Sequence, residues 1–167
     1  VTGYFTIGAL AYLSQTTKEK INNYRFVLGD IVNFDEKIKA LDLLNENISI
    51  ENSFKLKQLA KEAVDFLKLS NVEAKTLEPN FCHAKLYLKT AKEDERNHYF
   101  ISGSSNLTEA GIGQKITSNV ELNIAETGNN NQYKELVEWF NGLWNRPQAH
   151  SKKTIINEKG DKYKKDF

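Results

Sequence analysis

The sequence predicts an α/β fold: a mixed β-sheet flanked by helices on both faces, in a single domain of 167 residues. Three observations carry this expectation. Short β-rich runs, Tyr24–Leu28, Phe81–Lys89 and Val120–Ile124, read as strands, the last with strict alternation. Residues 53–68 and Tyr133–Leu143 repeat apolar side chains at helical spacing. The two kinds of segment interleave, which is the order of a sheet covered by helices.

The elements follow in chain order. Ile7, Leu10, Ala11 and Leu13 predict a helix just after Gly3. Tyr24–Leu28 predicts a strand closed by a turn at Gly29-Asp30. Ile38, Leu41 and Leu44 are spaced as a helix over residues 35–46. Leu56, Leu59, Ala60, Ala63, Val64 and Leu67 form one face of a clearer helix, which Asn71 is expected to end. Strands are expected at Val72–Leu77, Phe81–Lys89 and Tyr99–Ser102, the last two joined by a hairpin loop over Lys92–Asn97. After Val120–Ile124 and a loop at Gly128–Asn131, Tyr133, Leu136, Val137, Phe140 and Leu143 predict an amphipathic helix stopped by Pro147.

Composition narrows the class. Forty per cent apolar and 27% charged residues are ordinary for a soluble globular chain. No run approaches the roughly 18 apolar residues of a membrane span, and no signal peptide is visible. The single cysteine, Cys82, excludes an internal disulfide framework and points to a reducing, cytoplasmic compartment. A chain with no Met that starts at Val1 reads as a fragment of something longer. The expected division is a domain over residues 1–147 and a lysine-rich C-terminal tail or linker over 148–167, where Lys152, Lys153, Lys159, Lys162, Lys164 and Lys165 crowd. A net charge of +1 argues against a large non-specific nucleic-acid surface, though not against a local basic site.

Three short motifs could carry chemistry. In Phe81–Leu88, strand alternation turns His83, Lys85 and Tyr87 one way and Cys82, Ala84, Leu86 and Leu88 the other. Residues two apart on a strand sit roughly 6.5–7 Å apart, so an imidazole and an ammonium could reach one phosphate. Lys85 would hold a non-bridging oxygen, and His83 could attack phosphorus or move a proton. Alone, a His-x-Lys on a solvent-facing strand needs no function. In Gly103-Ser104-Ser105-Asn106, an apolar strand ends in small polar residues: Gly permits close backbone approach to a ligand, and Ser104 and Asn106 offer donors to phosphate oxygens. The competing reading is a helix start, with Asn106 as N-cap and Glu109 completing a capping box. In Asn119-Val120-Glu121, a carboxylate beside an imidazole would fix its tautomer. On its own it reads as a surface Glu on an amphipathic strand.

Taken in order, His83-x-Lys85, Gly103-Ser104-x-Asn106 and Asn119-x-Glu121 resemble the signature of the phospholipase D superfamily. Gly3-Tyr4-Phe5 and Leu28-Gly29-Asp30 resemble the phospholipase D-like nuclease domains attached to bacterial helicases and restriction enzymes. The fuller signature has an Asp five residues after the Lys. Thr90 stands there, a mark that points away from a lipase. The resemblance implies a metal-independent phosphodiesterase, with no cofactor, that cuts DNA (RNA stays open) through a phosphohistidine. His83, Lys85, Asn106 and Glu121 are the implied catalytic residues, with Lys85, Ser104 and Asn106 binding phosphate. The family uses two His-x-Lys sites per centre, so two copies are expected to share one in a homodimer. His150-x-Lys152 is formally a second match. It lies in the polar tail outside any expected strand, so His98 and His150 read as bystanders. The sequence contains no His/Cys cluster with zinc spacing.

Two competing readings stand beside this one: a phospholipid-acting member, and a catalytically silent module that binds nucleic acid or dimerises a larger protein. Cys82 invites a thiol-nucleophile reading, but alternation points it away from His83, into the core. Trp139 and Trp144 read as packing or interface residues.

Overall fold

The computed structural model of the chain describes residues 1–28, 50–79, 82–114 and 119–166. The helix expected over 35–46, the Gly29-Asp30 turn and Phe81 lie outside the described residues. Among those described, strands form at Thr2–Gly3 (β1), Tyr24–Leu28 (β2), Val72–Leu77 (β3), Leu86–Lys89 (β4), Tyr99–Gly103 (β5), Asn123–Thr127 (β6) and Ala149–Ser151 (β7). Helices form at Ile7–Thr17 (α1), Ile50–Lys68 (α2), Asn131–Trp144 (α3) and Lys153–Asp166 (α4). The strands make one open sheet in the order β6-β5-β4-β1-β2-β3-β7. β1, β2 and β3 run parallel, while every other pairing is antiparallel. No helix among the described residues is long and apolar enough to cross a membrane.

Helices cover both faces, as expected, and strand alternation decides which residue meets which layer. On β2, Phe26 and Leu28 join Ala9 and Leu10 of α1 and Ala63 and Phe66 of α2 in the larger core. Val27 points through the sheet to Phe140, Leu143 and Trp144 of α3. Phe66 was not among the expected α2 face, yet it is 1% exposed and packs edge-on against Tyr24 and Phe26. Burying such a side chain contributes about 2–3 kcal/mol. Leu86 and Phe100 meet Tyr133 beneath α3. Trp144 is buried with Arg25 and Lys75 over its ring, whereas Trp139 stays exposed.

Several boundaries move. α2 ends at Lys68 rather than at Asn71, and Lys153 Nζ ties the junction that follows, donating to the carbonyls of Leu67 in the last turn, Leu69 in the connection and Val72 at the start of β3 at 2.6–2.8 Å. The ladder of β4 begins only at Leu86, since its neighbours leave the sheet first: β1 ends at Gly3 and β5 at Gly103. β6 starts at Asn123 rather than Val120 for the same reason, because Asn123 pairs with Gly103, the last residue of β5.

Residues 148–167, expected as a tail or linker, are largely built into the fold. β7 pairs with β3, and α4 packs on α2 through Ile156 and Gly160. His150, expected outside any strand, therefore sits on β7 opposite Thr76.

Candidate active site

The pairing register brings the motifs together. Thr2, Leu86, Ser102 and Ile124 form a row across β1, β4, β5 and β6. Neighbouring strands lie about 4.8 Å apart. One step beyond this row come Gly3, Lys85, Gly103 and Asn123. Beyond those lie Tyr4, His83, Ser104 and Glu121, where the strands have ended and side chains are free of the ladder. Residues scattered from position 3 to 123 thus meet at one end of four adjacent strands.

His83 is exposed and Lys85 half-buried. Cys82, Ala84, Leu86 and Leu88 pack on the α3 side, and Tyr87 packs on the other, as alternation predicted. Lys85 Nζ lies 3.0 and 3.1 Å from the two ring nitrogens of His83 and donates to the His83 carbonyl at 2.8 Å. An ammonium only donates. Almost equally far from both nitrogens, the ammonium sits against the imidazole as a whole, so one phosphate could touch both groups.

Asn106 is anchored from β1. Its Oδ1 accepts the Tyr4 N–H at 3.2 Å. Gly3, at φ +131°, turns the chain out of β1, and a side chain there would sit 3.4 Å from Asn106 Oδ1 and 3.6 Å from Lys85 Cγ. Asn106 and Lys85 therefore flank the same glycine. The capping box does not form. Asn106 heads a series of turns rather than a helix, and Glu109 instead hydrogen-bonds Thr6, the N-cap of α1.

Glu121 is half-buried and hydrogen-bonds the Ser104 hydroxyl and, at 3.0 Å, Asn119 Nδ2. Those two bonds, Ser104 first, and the nearby Lys85 charge hold its carboxyl below the ordinary range, so it is an anion at neutral pH. Its partners are thus Ser104 and Asn119 rather than the imidazole expected to share it. Ser104 Oγ also accepts the Leu122 N–H at 3.0 Å, which ties the end of β5 to the approach of β6. Tyr87, below the site, donates to the Ser105 carbonyl at 3.1 Å; burial, reinforced by the Glu121 charge, raises its hydroxyl to about 12.

Gly103 earns its place differently from expectation. A Cβ there would lie 2.5 Å from Asn123 Oδ1, 2.7 Å from Asn123 Cα and closer still to the Leu122 carbonyl. The close approach it permits is that of the neighbouring strand.

Comparison with protein-family models, curated proteins and solved structures returned no match. The site's meaning therefore rests on its own chemistry.

The other candidates fall elsewhere. His98 is 7% exposed, stacks on Tyr133 and accepts the Ala91 N–H at 3.1 Å, a core role. His150 and Lys152 lie four strand spacings from β4, about 19 Å, and Lys152 is paired with Glu78. Thr90, where the signature has Asp, joins the Tyr133 hydroxyl at 2.6 Å. Cys82 is buried, and desolvation raises its thiol pKa. Among the described residues, no group of three or more His, Cys, Asp or Glu could hold a metal ion. Tyr4 and Asn119 were not singled out as site residues. Their only sequence signals were a Gly-Tyr pair after a β1-like end and a polar residue two before Glu121.

Proposed function

We propose that this chain is a metal-independent phosphodiesterase of the phospholipase D type, a DNA endonuclease whose centre is shared by two copies. The observation that carries the reading is the Lys85 ammonium against the His83 ring nitrogens, beside Asn106 and Ser104 at the exposed end of the sheet. This set matches phosphoryl transfer, which needs a lone-pair nucleophile and fixed donors for the phosphoryl oxygens. The site also lies where β1 leads away to β2 on one side while β4 lies on the other, the kind of crevice in which α/β sheets bind ligands.

In the proposed reaction, an incoming phosphodiester draws the Lys85 ammonium off the His83 ring and onto a non-bridging oxygen. A nitrogen lone pair of that ring attacks phosphorus, the P–O bond to the leaving oxygen breaks, and the leaving oxygen takes a proton from the His83 imidazolium of the second copy. The now neutral imidazole of that copy removes a proton from water, which attacks the phosphohistidine and restores both histidines. Asn106 donates to the phosphoryl oxygens, and the Ser104 hydroxyl joins it by turning its one hydrogen from Glu121 to the phosphate.

Two supports favour the shared centre. One chain offers a single His-x-Lys at this end of the sheet within reach. Val120, Leu122 and Ile124, flanking Glu121, are 103%, 81% and 66% exposed, an apolar stripe that a second copy would cover.

The test is plasmid nicking in excess EDTA. The full chain should nick supercoiled DNA, and His83→Ala should lose about 10³-fold or more in rate while melting normally. An alkaline denaturing quench should trap DNA joined to the protein through an acid-labile, base-stable bond to phosphorus, absent in His83→Ala. A folded, dimeric wild type that leaves plasmid intact under these conditions refutes the reading.

A further inference from the structure

We infer that Tyr4 is a positioning residue for His83 and Asn106, a role that rests on the phosphodiesterase reading and adds a residue to it. The β1 exit touches three of the four proposed catalytic side chains. Gly3 turns the chain at φ +131° and lies against Lys85 and Asn106. The Tyr4 ring then meets the His83 ring edge to face, with centroids 6.1 Å apart and planes at 77°. The Tyr4 backbone is held in turn: its carbonyl accepts the Leu107 N–H at 2.9 Å, the Thr6 N–H donates to the Leu107 carbonyl at 2.9 Å, and Phe5 bridges Leu107 in parallel. A rigid main chain thus presents the aromatic ring to an exposed imidazole on a segment that has left the ladder.

Two consequences follow. His83 hangs from residues that lack strand partners, so its ring orientation depends on side-chain neighbours. Two of them are Lys85, which must leave when a phosphate arrives, and Tyr4, which need not. Tyr4 therefore keeps the imidazole aimed during the step in which Lys85 is engaged elsewhere. The second consequence concerns the amide. A backbone N–H can be accepted only by Oδ1, so the Tyr4 N–H sets which end of Asn106 faces it and leaves the Nδ2 donors for an anionic oxygen.

The experiment compares Tyr4→Leu and Tyr4→Phe with wild type in the full chain. The first readout is the imidazole C–H resonances of His83, assigned by their loss in His83→Ala. The second is nicking kinetics. Tyr4→Leu removes the ring but keeps the backbone N–H; it should shift the His83 signals and lower kcat by 10-fold or more with KM within about twofold. Tyr4→Phe should restore both. Should Tyr4→Leu melt at lower temperature, Tyr4→Met serves the same comparison. Unmoved His83 signals in a folded Tyr4→Leu or Tyr4→Met protein overturn the proposal. So does an equal loss in Tyr4→Phe. The resonance readout requires no turnover, so the ring contact is tested even if wild type fails to cut DNA. For the amide, Asn106→Asp keeps an acceptor for Tyr4 but replaces the donors with negative charge. Inorganic phosphate should perturb the His83 signals in wild type and not in Asn106→Asp; equal perturbation in both overturns the amide assignment.

Discussion

Replacing Gly103 with Ala tests how the sheet end builds the site. The added Cβ would stand 2.7 Å from Asn123 Cα, where ordinary contact begins at about 3.4 Å, so the two strands must part by at least 0.7 Å or so. The clashing atoms are backbone, which cannot rotate away. β6 is an edge strand with every residue exposed, so it yields outward rather than being crushed. Overpacking of this kind costs about 1–3 kcal/mol. The displaced segment carries Glu121, Leu122 and Asn123, and with them the bonds to Ser104 and Ser105. A misplacement near 1 Å costs on the order of 10²-fold in rate. Urea unfolding should therefore show a lower midpoint with unchanged slope, and nicking should fall by about that factor. Carboxyl resonances add a sharper check. Ser104 is the leading cause of the depressed Glu121 pKa, so the Glu121 midpoint should rise towards the ordinary carboxylate value in Gly103→Ala. The sign of the linkage follows. A depressed folded pKa contributes stability that is present above the unfolded value and lost as pH falls through the folded one. Gly103→Ala should therefore lose less stability than wild type over that acid window. An unshifted Glu121 midpoint, together with wild-type stability, would refute the reasoning.

Other expectations are simpler. Lys153→Met removes three hydrogen bonds from an ammonium to the junction between α2 and β3 and should cost about 2 kcal/mol, given partial exposure; an unchanged urea midpoint would mean water replaces them without loss. Leu122→Arg places a charge in the exposed stripe and should leave a folded monomer by light scattering, with nicking lost; a dimer of undiminished mass would move the interface elsewhere. Cys82 is buried with a raised thiol pKa, so at pH 8 it should resist alkylation until urea unfolds the chain, and fast native modification would count against its packing.

Local pattern carried much of this protein. Alternation around His83 assigned Cys82 and Leu86 to the core and left His83 and Lys85 at the surface, because side-chain direction on an extended chain needs only a period of two. Helical spacing marked the faces of α2 and α3, since an apolar stripe requires no knowledge of its partner. What the sequence could not decide by itself was which strands stand side by side, and in what register. The row through Thr2, Leu86, Ser102 and Ile124 is a set of pairings between residues as many as 84 positions apart, from Thr2 to Leu86. That row alone puts Tyr4 against His83 and Ser104 against Glu121. The docking of the lysine-rich C-terminal segment was hidden for the same reason: composition reads it as solvated, and only the folded junction of α2 and β3 gathers the carbonyls that Lys153 meets. Periodicity is written in neighbouring residues, whereas partnership is settled by distant surfaces competing to be buried and by backbone groups that must each find a bond.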